Sequence, residues 1–366
     1  MIIDRKTLAL LVTIPIVYTL LFGGLFSKNV ITDVPIVICN LDDGFGSQAL
    51  IRDLYDTPEV KVIAIENSAA AVVEIMNQNQ ADGAVVIPKD YSKQVNRGGA
   101  ASIEVVINNT NRALGAIVSK AVQSVTTAQN ATIAVNQRIA AGWNQSQAQS
   151  VQLSLSSRML YNPTIGYIDF FLVSLIIHGL QIAIVFTIVP RIVQVKNLLL
   201  NDTTRSLANI LLSCSAIMIT VTLICLSIGF GVFQMVCRGS WIDIILLISA
   251  YVVCMVSFAI CVGAWIDEEY KALITPLAYV MPSILFANVT WPRTSMDNFS
   301  LFLSYIMPIG YTADDLRCLL VKGVAVELHF HIIILLFIGF VFFTFAVIGV
   351  KYHAEKFRTR NTTLYQ

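Results

Sequence analysis

Long apolar runs constrain this chain more than any motif in it. Six stretches, roughly 8–26, 168–190, 207–236, 242–266, 272–289 and 330–350, each carry at most one acidic or basic residue. As helices they approach the length that crosses about 30 Å of hydrocarbon, which takes about 20 residues. No water-soluble core hides that much apolar surface behind so little charge. Charged residues make up 13% of the chain and hydrophobic ones 56%, where a soluble domain is about 25% charged. The fold class expected is an α-helical polytopic membrane protein with six transmembrane helices. A net charge of +1 gives no field that would attract nucleic acid.

The first run follows Arg5 and Lys6, as a signal peptide would. Its nineteen residues and the lack of an A-x-A site after Phe26 favour a retained helix. Arg191, Lys196 and Arg205 lie between the second and third runs, and Lys351, Lys356, Arg358 and Arg360 follow the sixth. Six crossings place all these groups on one side, so the positive-inside rule makes both termini cytoplasmic. The acidic loop from Asp267 to Lys271 falls on that side too, and Arg238 falls outside as an exception.

The segment 28–160 between the first two runs holds no span and lies outside the cytoplasm by the same topology. Short apolar runs alternate there with helical patterns. Strands are expected at 34–40, 60–65, 83–88 and 102–108, with helices over 46–56 and 68–78 and a long polar helix from Thr110 to about Ala141. Ser68 is a natural N-cap. The alternation argues for an inserted α/β domain. Its 11 acidic and 10 basic residues between Lys28 and Arg158 nearly cancel and point to no ligand. The domains expected are therefore a first transmembrane helix over 1–27, the α/β domain over 28–160, a five-helix region over 161–350, and a cytoplasmic tail over 351–366.

Several chemistries have no residues to perform them. GxxxxGK[ST], GxSxG, HExxH and an EF-hand loop are all missing. "LDDGFGS" at 41–47 lacks the later bidentate Glu of a calcium loop and reads as a turn that leaves the first strand and caps the next helix. No catalytic residue, metal ligand or cofactor site is expected on this chain. Of seven cysteines, Cys237 and Cys318 would both sit outside the hydrocarbon, where a bridge between them is one candidate pairing.

Polar groups within the apolar runs point to function, because lipid makes them costly. His178 and Gln181 lie three residues apart, on one helical face. They line a substrate path or subunit contact, or they only bond helix to helix. Beyond the fifth run, the segment 288–323 contains Trp291-Pro292 and an apolar piece of about ten residues before Pro308, too short to span. It reads as a re-entrant or interfacial segment, with Trp291, Tyr305 and Tyr311 at headgroup depth. A plain surface loop is the rival.

These stretches resemble a known family. "DRKTLALLVTIPIVYTLLFGGLFSKNVITDVPIVICNLDDG" is similar to the opening of ABC-2 type transporter permeases of the exporter branch. "GAVVIPKDYSKQVNRG", "YNPT" and "PSILFANVTWPRTSM" with "MPIGYTADDLRCLLVKG" follow in the family's order. The resemblance implies the permease subunit of an ATP-driven exporter in a bacterial cytoplasmic membrane, moving an amphipathic or lipid-like substrate outward. It implies a separate cytoplasmic ATPase that binds the ATP, and a second permease subunit, identical or not. A periplasmic adaptor and membrane lipid are further candidate partners. It also implies an ATPase-coupling loop containing Val193, Lys196, Asn197, Asp202, Thr203 and Arg205, and an outer gate containing Trp291, Pro292, Pro308, Tyr311 and Arg317. The coupling loop departs from the family's acidic, Gly-Thr-bearing pattern, and the chain begins almost at its first span, where relatives carry an amphipathic helix. One half of a heterodimer, or a chain lacking an N-terminal piece, would look like this. The rival class is a membrane-anchored surface or scaffold protein whose outer domain binds a partner without transport; "IVICNLDDG" also resembles that group, which usually carries a much longer coiled-coil insert.

Overall fold

The computed structural model describes residues 4–97, 101–145, 161, 166–199 and 202–364, with side chains as far as 353. The Asn-Pro-Thr of the "YNPT" motif, residues 200–201 of the coupling loop and the side chains of most of the tail lie outside the described residues. The chain divides into two compact units, Val30–Arg158 and the rest.

The first unit is built on one four-stranded sheet: β1 (Val34–Asn40), β2 (Val60–Glu66), β3 (Gly83–Ile87) and β4 (Glu104–Ile107), in the order β2-β1-β3-β4. β1 pairs parallel with β2 and β3, and β4 closes antiparallel on β3. β1 is apolar almost throughout because both its faces are covered. Ile36 and Ile38 pack with Leu50 and Leu54 of α2 (Phe45–Tyr55) and Val118 and Val122 of α5 (Arg112–Ala140). Val37 and Cys39 face the other way, onto Val72 of α3 (Ala69–Asn77). Ser68 and Asn111 cap α3 and α5 as acceptors from Ala70 N and Ala113 N. A short helix, α4 (Tyr91–Asn96), lies in a stretch whose pattern gave no helical signal.

The second unit is a helical bundle. Five helices are long and apolar enough to cross a membrane: α1 (Arg5–Leu25), α6 (Val173–Val195, opened by a π-helical turn Ile168–Leu172), α7 (Thr203–Gly231), α8 (Trp241–Trp265) and α13 (Leu328–Leu364). The expected fifth span at 272–289 is not one helix. It forms α9 (Glu269–Ile274) and α10 (Leu277–Ser283), followed by turns to Asn288, whose φ is +59°. Pro276 separates the two: it has no N–H to donate to the Ala272 carbonyl, so the helical ladder is interrupted there although Thr275 and Pro276 keep helical φ and ψ. Pro15, by contrast, lies within an unbroken α1. The stretch after the break forms α11 (Asn298–Ile306) and α12 (Pro308–Lys322), and Gly323 ends α12 in the left-handed region at φ +90°.

α6 is the axis of this bundle. In its most apolar window 83% of residues are buried, against 22% for α1 and α13. Close approach explains two glycines. A Cβ at Gly263 of α8 would lie 2.7 Å from the Ile192 Cβ, and one at Gly179 of α6 would lie 2.6 Å from the Tyr18 ring.

Candidate functional site

Polar ties in the bundle sort by height along α6. At the end that holds the N-terminus, Asp4 caps α1 and meets Arg191 at 3.4 Å. There Lys196 Nζ donates to Asp267 Oδ1 and to the Ile266 carbonyl, each at 2.7 Å, and His353 Nδ1 lies 3.1 Å from the same Asp267 oxygen. One carboxylate thus joins the end of α6, the loop after α8 and the C-terminal half of α13. Lys196 is 7% exposed, so removing that partner would leave it buried without a carboxylate.

Midway along α6, Gln181 makes a buried fork. Its Nε2 donates to Ser283 Oγ at 2.7 Å, and its Oε1 accepts from Tyr251 Oη at 3.1 Å. This pins α10 and α8 to α6. His178 is equally buried but points elsewhere: its ring packs edge-on against Tyr18 of α1, and its Nδ1 has no acceptor. The two residues share a helix and burial but no partner, so the structure does not join them into one polar path.

At the end where the insert leaves and re-enters, Asn29 accepts from Tyr167 N and Ile168 N, and Asp169 Oδ1 accepts from Val236 N. The segment 288–323 gathers here. Asn288 donates to Asp314, Arg317 also pairs with Asp314, and the Arg317 guanidinium lies 4.7 Å from the Phe170 ring centroid. Asp315 binds His331 Nδ1 at 2.7 Å, and the other ring nitrogen lies 3.3 Å from Glu327. Burial holds the Asp315 carboxyl above its ordinary range, and His331 beside it offsets only part of that. Adjacent acids on α12 therefore have different partners, Asp314 in the turn at Asn288 and Asp315 on α13.

Of the residues expected at the outer gate, Pro308 starts α12 and is buried, and Tyr311 is 6% exposed, donating from Oη to the Tyr305 carbonyl. Trp291 is half-exposed and Pro292 exposed, with Trp291 Nε1 bonded to the Ser295 carbonyl. Arg293, which the sequence did not single out, is more central than either: its backbone N–H and its side chain both tie the segment together. Of those expected in the coupling loop, Asn197, Asp202 and Arg205 are exposed, whereas Val193, Lys196 and Thr203 are buried. Leu198, at 81% exposure, is the surface feature missed there. An apolar residue in a membrane chain gave no signal that it faced out. All seven cysteines, Cys237 and Cys318 included, are free thiols.

In the other unit, the carboxyl ends of β1 and β3 bring Asp42 and Ser92 together. Asp42 Oδ2 accepts from Ser92 Oγ and Gly44 N, and Ser47 N donates to Ser92 Oγ. Burial alone would raise the Asp42 carboxyl, but the donors around it outweigh burial and hold it below its ordinary range. The N-terminus of α2 thus already has its own carboxylate, and the "LDDGFGS" turn is a structural tie between two loops. No group of His, Cys, Asp and Glu that could hold a metal ion forms among the described residues.

A bundle with five helices long and apolar enough to cross a membrane, and with an α/β unit inserted after the first, is a multi-pass membrane protein. The model of the ABC-2 family transporter proteins matches residues 5–348, nearly the whole chain, and the chain belongs to that family. It is a membrane component of an ABC transporter, which works with an ATPase partner. A search of curated proteins found no match.

Proposed function

We propose that this chain is the permease subunit of an ATP-driven exporter that moves an amphipathic or lipid-like substrate outward, paired with a second permease subunit and a separate ATPase. The carrying observation is the sorting of ties along α6. Lys196 meets residues 266–267, Gln181 meets Ser283, and Asn288 reaches the Phe170 end through Asp314 and Arg317. Residues 266–288 therefore run the length of α6 although no long helix does so, and they act as a sixth, broken crossing. Six crossings leave the N-terminus and the end of α13 on one side, which the Lys and Arg distribution makes cytoplasmic, with the insert outside.

In this reading Asn197, Leu198, Asp202 and Arg205 meet the ATPase. Lys196 and Asp267 pass its motion to the base of the broken crossing. Gln181 couples that crossing to α6 and α8, and the segment 288–323 closes the exit. Every step is mechanical: the chain positions and moves helices, and the ATPase supplies the energy. The purified complex in proteoliposomes provides the test. Substrate-stimulated ATP hydrolysis is expected to fall about tenfold in an Asn197→Ala, Leu198→Ala, Arg205→Ala variant, which corresponds to about 1.4 kcal/mol of coupling. Unchanged stimulation, or export without any ATPase, contradicts the proposal.

A further inference from the structure

Among the described residues, Arg293 has no counter-ion. Its guanidinium lies between two tyrosine rings, 5.2 Å from the centroids of both Tyr305 and Tyr311. Nε donates to Ser304 Oγ at 2.9 Å, and that hydroxyl is itself bonded to the Phe286 carbonyl. Nη2 rests over Gly310, where a Cβ would come within 2.7 Å of it, and finds no acceptor. Among the described residues no carboxylate pairs with Arg293; Asp314, the acid of this network, is taken by Asn288 and Arg317. Gly310 belongs to the first turn of α12, whose N-terminus has no side-chain cap, so positive charge lies against the positive end of a helix dipole. Two rings and one hydroxyl oppose that repulsion only in part. An anion would complete the arrangement.

The surroundings say which anion. Phe299, Phe302, Tyr305 and Ile306 are each about half-exposed or more, and they fall on one face of α11 at spacings of three, three and one. Trp291 is half-exposed next to Arg293. Such a face with aromatic residues at its rim belongs at the membrane–water interface, the depth at which phospholipids present their phosphates.

We propose that the Arg293 guanidinium is a recognition point for a phosphate-bearing, net-anionic headgroup, on a membrane lipid or on the lipid-like molecule leaving through the exit. Arrival of the phosphate draws the guanidinium from between the two rings and loosens the contacts from Phe286 through Ser304 to Tyr311, so the same residue that holds the segment shut also registers the cargo's charge. This inference rests on the reading of residues 288–323 as the outer segment, and its test needs neither the ATPase nor export, so its failure leaves the coupling experiment untouched.

The purified full chain is equilibrated in detergent with equimolar phosphatidylglycerol and phosphatidylcholine, and retained lipids are counted by native mass spectrometry. The wild type is expected to retain phosphatidylglycerol over phosphatidylcholine by about fivefold, as charge-assisted bonds to an otherwise unpaired arginine would give, and Arg293→Gln to retain the two about equally. No preference in the wild type, or the same preference in Arg293→Gln, overturns the proposal and leaves Arg293 as an internal clasp. If Arg293→Gln does not fold, Arg293→Lys decides: a point charge in place of the planar fork should lower the preference, and an unchanged preference overturns the guanidinium's role. Where the preference is lost in the variant, displacement of the wild type's phosphatidylglycerol by millimolar inorganic phosphate supports recognition of phosphate alone, and resistance to it supports recognition of the lipid.

Discussion

The two ends of the helical bundle differ in how their cations are paired. At the end that holds the N-terminus, Arg191 has Asp4 and Lys196 has Asp267. At the other end Arg317 has Asp314 and His331 has Asp315, but Arg293, between two tyrosine rings, has no acid among the described residues. A compensated, buried ion pair is costly to break because either partner alone is stranded. Ring stacking and single hydrogen bonds are worth about 1 kcal/mol each and can be exchanged for others. In the proposed reading the end with the N-terminus transmits force as one piece, and the end with residues 288–323 lets go.

That contrast can be broken first with glycines. Gly263, near the inner end, faces a branched side chain and the Val189 carbonyl at 2.9 Å, neither of which can move aside. Gly263→Val should cost about 3 kcal/mol by overpacking, visible as a fall in melting temperature in detergent. At Gly310 the one neighbour closer than ordinary contact is the far end of Arg293, and the Ser304 and Phe286 carbonyls lie at 3.5 and 3.6 Å, so Gly310→Ala should cost less, about 1 kcal/mol. Equal losses at the two sites would erase the distinction. Next in size, Asp267→Ala strands the buried Lys196 ammonium and should cost about 2 kcal/mol, below the usual range for a buried pair because Asp267 itself is 56% exposed. Replacing both residues, as Lys196→Met with Asp267→Ala, should restore most of that loss, and no restoration would show that the pair is not the tie.

The middle of the bundle gives a smaller effect. Gln181→Leu leaves the Ser283 and Tyr251 hydroxyls without their shared partner and should cost about 1 kcal/mol. His178→Leu, which removes no bond, should be neutral or stabilising. The smallest change lies outside the bundle. Because the folded Asp42 carboxyl is held below its ordinary value, its stabilisation is present above about pH 4 and is lost as pH falls through the folded value. Ser92→Ala should therefore lower stability by about 1 kcal/mol at neutral pH, with the difference from wild type shrinking on acidification below pH 4. A difference that grew toward low pH would reverse the sign of the argument.

Five spans and four strands were legible because each depends on local composition. Apolar length marks the first, and an apolar run closed by turn residues marks the second. Val34–Asn40 was found to the residue because a strand covered on both faces has no alternation to blur its ends. Residues 272–289 were read as one continuous span since the stretch is apolar enough, and Pro276 with Asn288 recorded the break. Site residues were harder. Lys196 and Thr203 looked like surface contacts, but a basic residue that ends a helix reads the same whether it meets a partner protein or Asp267, seventy-one positions away. Arg293 passed unnoticed for a related reason: its significance lies in the acids it does not meet, and a sequence holds no record of absent neighbours.

The central claim is that inner loops take up the ATPase's work and the outer segment releases the cargo. Its most direct measurement is the exit itself, followed in the reconstituted complex with a single reporter cysteine at Ile309, which is buried at the start of α12, in a background lacking the seven native thiols, and a thiol reagent that cannot cross the membrane. The account predicts labelling that rises when ATP is added, and a rise that is lost when Asn197, Leu198 and Arg205 are replaced together. Labelling that is the same with and without ATP, or a rise that survives those replacements, would contradict it.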